Sequence, residues 1–113
     1  MMQGRVQTLI RDGAPAADVL RFEAIRLGDV AHRAALMRAD KVQEESSIKH
    51  SIFEKLTELV APEAKFSSDQ FTVVEHCVSE MTERSLRQRE SSRSTESGVD
   101  VAPLANYVNN CRG

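Results

Sequence analysis

Tryptophan is missing from this chain, tyrosine occurs once and phenylalanine four times, so aromatics make up only 4% of its 113 residues. A core must then be assembled from Leu, Val, Ile, Ala and Met, side chains that pack well between helices. Five glycines and three prolines leave too little turn material for a many-stranded sheet. Two cysteines, Cys77 and Cys111, are too few for a disulfide framework. No apolar run approaches the ~18–20 residues that span a bilayer, and MMQGRVQTLIRDG has no apolar stretch of the secretion-signal kind. Neither sign of charge dominates: 15 Lys and Arg against 17 Asp and Glu leave −2. That balance exerts no general pull toward nucleic acid or acidic membranes. The expectation is one cytoplasmic domain in a reducing setting, since ~100–150 residues is the commonest domain size.

What is present is helical periodicity. Val6, Leu9 and Ile10 stand at i, i+3 and i+4 in a short helix over 3–11, with Gly13 able to take the left-handed conformation that stops it. Pro15 suits the first turn of the next helix, where its missing N–H costs nothing. From Ala16 to Val60 there is no proline, and Gly28 is the single glycine. Leu20, Ala24, Leu27, Ala31 and Ala34 form an apolar stripe, widened by a second line through Phe22, Ile25, His32, Leu36 and Ala39. The run QEESS at 43–47 interrupts it, because core positions continued from Val42 fall near Glu45 and Lys49. Either one long helix crosses a solvated midsection, or Ser46 or Ser47 caps a new helix. Two helices, about 15–43 and 47–60, fit the pattern better.

After Pro62 comes KFSSDQF, residues 65–71. With Ser67 as the N-cap, Gln70 occupies the third helical position and can reach back, forming a capping box. Phe66 and Phe71 then stand where a hydrophobic staple forms. Asp69 meets the positive end of the helix dipole. The helix so opened runs to about Arg89 on a stripe of Phe71, Val74, Val78 and Met81, with Cys77 alongside, and fades beyond Met81. SSRSTESG reads as a mobile polar linker. Beyond it, Pro103 can open a short helix carrying Leu104, Tyr107, Val108 and Cys111 on one face. The organisation expected is a helical domain over 1–90, a flexible linker over 91–100 and an amphipathic segment over 101–113.

Few residues suggest chemistry. His32, His50 and His76 lie in separate helical segments, and His76 with Glu80 and neighbouring Cys77 falls short of a converging ligand set. His76 reads as a half-buried packing residue and Cys77 as a small core residue. No glycine-rich loop could cradle a phosphate. No enzymatic activity, metal or cofactor is expected.

Nucleic acid is the alternative partner. Ala24 and Gly28 stand four apart as in a helix-turn-helix, although Asp29 occupies a position that such a motif wants apolar. Arg26 and Arg33, with Arg84, Arg87 and Arg89 of RSLRQRESSR, could contact phosphates. Acids offset the first group, leaving residues 1–40 at six positive against five negative.

The fold expected is all-α, with three or four helices as antiparallel hairpins, completed as a dimeric bundle and carrying a flexible C-terminal arm. The function expected is a protein-interaction module: an adaptor, assembly factor or regulatory subunit working as a homodimer. Leu27, Ala31, Ala34 and Leu36 are its candidate helix–helix contacts, and Leu104, Tyr107 and Val108 its candidate docking segment. The alternative is a small dimeric helical regulator of DNA or RNA.

Overall fold

The structure, a computed structural model, describes residues 2–11, 13–37, 40–91 and 100–110. It is all-α, and the described residues hold five helices and no strand. These are α1 (Met2–Arg11), α2 (Ala16–Leu36), α3 (Asp40–Leu59), α4 (Ser68–Ser91) and α5 (Ala102–Asn110).

Helix α1 ends as its glycine requires. Gly13 adopts φ +79, its N–H bonds Ile10 C=O at 3.0 Å, and Ala14 N–H bonds Leu9 C=O at 2.9 Å. That pair of bonds is a Schellman motif, and it satisfies carbonyls the helix end would otherwise strand. Pro15 lies at the N-cap of α2, one residue earlier than the expected first turn. The N–H of Ala16 bonds Ala64 C=O in the α3–α4 connection at 2.9 Å. Since Ala16 meets Ala64 while His50 bonds Ala24, α2 and α3 run in opposite directions, and theirs is the most extensive helix pairing.

The expected break at 43–47 is not there. Helix α2 stops at Leu36, where the N–H of Met37 bonds Arg33 and Ala34 carbonyls, and α3 already begins at Asp40. The helices are therefore 16–36 and 40–59 instead of 15–43 and 47–60. The physical reason is one of phase. Because α3 starts afresh, its buried line is not an extension of that of α2. Ser46, Ile48, Ile52, Phe53, Leu56 and Val60 are buried, while Glu44, Glu45 and Ser47 point to solvent. QEESS is thus an ordinary amphipathic turn of α3.

Ser67 caps α4 as its sequence specifies. Gln70 N–H bonds Ser67 Oγ at 3.3 Å, and Ser67 N–H bonds Gln70 Oε1 at 2.7 Å. The rings of Phe66 and Phe71 stack with centroids 5.8 Å apart. Helix α4 does not lose its buried face beyond Met81, as expected from its polar sequence. Thr82 and Ser85 are both buried, and the Thr82 hydroxyl satisfies itself on Val78 C=O at 2.7 Å.

The core joins all five helices: Val6 and Ile10 of α1, Leu20 and Leu27 of α2, Phe53 and Leu56 of α3, Val74 and Val78 of α4, and Leu104 and Val108 of α5. The C-terminal arm, where described, is a docked helix. Val101, Leu104, Ala105 and Val108 are buried, and α5 packs on α3 and α4. Asp100 Oδ1 accepts a bond from Ala102 N–H at 3.0 Å at its start. Of the expected linker over 91–100, Ser91 ends α4 and Asp100 stands at the start of α5, while residues 92–99 lie outside the described residues, as does Cys111. No described helix is long and apolar enough to cross a membrane.

Candidate interaction surface

The hydrophobic surplus of α2 splits into two faces. Val19, Leu20, Glu23, Leu27 and Ala34 are buried. At 100° per residue, positions 25, 29, 32 and 36 fall within about 60° of one another on the opposite side. Ile25 is 60% exposed and Leu36 72%, and Asp29 and His32 between them are exposed. Met37 at the exit of α2 is 80% exposed, and Val42 near the start of α3 is exposed too.

Beside this line, α2 and α3 frame a groove of about 420 Å³ lined by Arg21, Ala24, Ile25, His50, Glu54, Thr57 and Glu58. His50 closes one side of it. Its Nδ1–H donates to Ala24 C=O on α2, its ring lies 3.5 Å from where a Cβ on Gly28 would stand, and its Nε2 is 3.1 Å from Glu54. The imidazole lies against the helix backbone beside Gly28, with van der Waals room left for a Cβ there.

On the other flank of α2 the carboxylate of Glu23 is buried, 3% exposed, against the guanidinium of Arg26. Hydrogen bonding to Glu23 holds Arg26 above its ordinary value against the opposing effect of burial, with Glu75 of α4 adding a weaker attraction.

The sequence-designated contact residues are dispersed. Leu27 and Ala34 are buried inside this chain and Ala31 is half-buried, so they serve the α2 core face. Leu36 alone of that group is strongly exposed. Leu104 and Val108 are likewise buried in the chain's own core, so the candidate docking segment docks on its own domain, while Tyr107 is 37% exposed. The reason is that α5 finds its apolar cover on α3 and α4 of the same chain.

The candidate arginines lie on two helices, Arg26 and Arg33 on α2 and Arg84 and Arg87 on α4. Arg26 is committed to Glu23 and Arg87 to Glu83. Arg33 and Arg84 are exposed on different helices. The side chain of Arg89 lies outside the described residues. His76 is exposed and pairs with Glu80 at 3.1 Å, against its reading as half-buried, and Cys77 is half-buried against the core. Among the described residues no three His, Cys, Asp or Glu side chains converge as a metal site would require.

Sequence reasoning missed the exposed set Ile25, Met37 and Val42 as a surface. The spacing i, i+4, i+7, i+11 from Ile25 to Leu36 is the signal for the outward face of α2, and Met37 and Val42 fall outside it. Compared with protein-family models, curated proteins and solved structures, the chain matches none.

Proposed function

We propose that this chain is a non-enzymatic helical protein-interaction module, a homodimer acting as an adaptor, assembly factor or regulatory subunit. The observation that carries this reading is the set of large apolar side chains held in solvent by α2, its exit and the first turn of α3: Ile25, Leu36, Met37 and Val42. Single exposed apolar residues are ordinary, but two on one face of α2, with Met37 at its exit and Val42 at the start of α3, mark a surface that another chain covers. Burying each of them is worth on the order of 1–2 kcal/mol, scaled from the value for a fully buried aliphatic side chain. A two-fold interface counts every such contact twice.

Sedimentation equilibrium across a micromolar concentration series tests the reading directly. The expected mass is twice 12.6 kDa. A strict monomer at high micromolar concentration removes the homodimer.

A further inference from the structure

We propose that a second copy of this chain packs antiparallel on the outward face of α2, each copy setting Ile25 against the partner's Leu36 and Asp29 against the partner's His32. This rests on the homodimer reading and names its surface.

The four positions have a seam's spacing. Ile25, Asp29, His32 and Leu36 stand at i, i+4, i+7 and i+11, alternating steps of four and three, which is how the contact positions of a coiled coil recur. All four are exposed, and they lie on the side of α2 opposite its buried residues. The α2 helix therefore offers a two-faced element, one face closed by its own chain and one open.

Charge then chooses the occupant and its direction. Positions 25 and 36 share a midpoint with positions 29 and 32, between Val30 and Ala31. A two-fold axis through that point pairs the ends with each other and the middle residues with each other. This is the requirement of an isologous interface, where residue i meets j and j meets i. The apolar side chains then form the two outer layers, and a carboxylate faces an imidazole in each of the two inner ones. A parallel in-register pairing would instead set Asp29 beside the partner's Asp29, like charges at close range. The antiparallel arrangement is favoured by the attraction that it makes and by the repulsion that it avoids.

The test uses the full chain. Ile25→Glu with Leu36→Glu changes two exposed side chains, so the helical circular dichroism should be retained. Sedimentation equilibrium should show the dimer dissociation constant rising about 100-fold or more. In a background with Cys77→Ser and Cys111→Ser, Ile25→Cys chains mixed with Leu36→Cys chains should form a mixed disulfide under mild oxidation, because bridged Cα atoms stand only ~4.4–6.8 Å apart. Ile25→Cys chains alone should not cross-link.

A dimer unaffected by the glutamates, with no mixed disulfide, overturns this seam and leaves the homodimer standing on another face. Cross-linking of Ile25→Cys chains to one another overturns the antiparallel register. A wild-type chain that stays monomeric overturns both the seam and the homodimer.

Discussion

Asn109 of α5 accepts a hydrogen bond from the N–H of Ala61 at 2.6 Å, and the same side chain donates to Leu59 C=O at 3.2 Å. One amide thus caps the exit of α3 with groups from a segment some 50 residues later in the chain. Leu104, Ala105 and Val108 supply the burial that brings it there. Asn109→Ala should cost about 1–2 kcal/mol, because it strands a partly buried N–H as well as losing two bonds. Urea denaturation measures the loss. Hydrogen exchange at α5 and at Ala61 should accelerate more than at α1. Uniform acceleration across all helices would show that the amide has no special role at this junction.

Gly28 should gain from a methyl group. It sits inside α2 with ordinary helical backbone, since Gly13 is the described glycine with positive φ. A Cβ at position 28 would meet His50 ring atoms at 3.5 and 3.6 Å, normal van der Waals contact. Gly28→Ala is expected to stabilise the fold by about 0.5–1 kcal/mol through helix propensity and reduced freedom of the unfolded chain. His50→Ala should do the reverse by about 1–2 kcal/mol, as the Ala24 contact and the ring's packing are lost. A destabilised Gly28→Ala protein in thermal melts would mean that the His50 ring cannot accommodate even this contact.

The buried carboxylate of Glu23 leads to a different expectation. It is almost fully enclosed, whereas its partner Arg26 keeps 19% of its side chain exposed. Glu23→Ala removes the acceptor and leaves a guanidinium partly desolvated, for a loss of ~2–3 kcal/mol. Replacing both residues together, Glu23→Leu with Arg26→Leu, should recover most of that loss, because no unpaired charge remains. A double-mutant cycle of Glu23→Leu, Arg26→Leu and the two together, followed by chemical denaturation, measures the recovery. Strict additivity of the two single changes would show that the pair is uncoupled.

Local signals in this chain were legible and tertiary ones were not. The Ser67–Gln70 box, the Phe66–Phe71 pair and the Gly13 stop each draw on residues within six positions, so the sequence holds every participant. The α2–α3 turn carries neither glycine nor proline, and nothing at Leu36 distinguishes an end from a continuation. Extending the phase of α2 across that turn displaced the expected break to QEESS. Apolar character alone could not say which of the two lines on α2 met the core, so Ile25 and Leu36 were merged with residues that face the other way. The burial of Thr82 and Ser85 was equally hidden, since hydroxyl residues read as surface until a neighbouring helix covers them.

Ser85 carries the last consequence. Its Oγ is the buried side-chain polar atom without a hydrogen-bond partner among the described residues, and the residue is only 2% exposed. Thr82, one turn earlier, pairs its hydroxyl with Val78 C=O. Removing an unsatisfied buried hydroxyl recovers its desolvation cost, while alanine fills nearly the same volume and is the better helix former. Ser85→Ala should therefore raise stability by about 1 kcal/mol, which in a domain of this size lifts the melting temperature by ~3–6 °C. Thr82→Ala should lower stability by a similar amount, through a lost methyl group and a lost bond. Paired thermal and urea melts of the two variants check the contrast. Should Ser85→Ala prove destabilising while Thr82→Ala is neutral, the hydroxyl of Ser85 must find a partner in the assembled protein, and the packing of α4 described above would need to be redrawn around it.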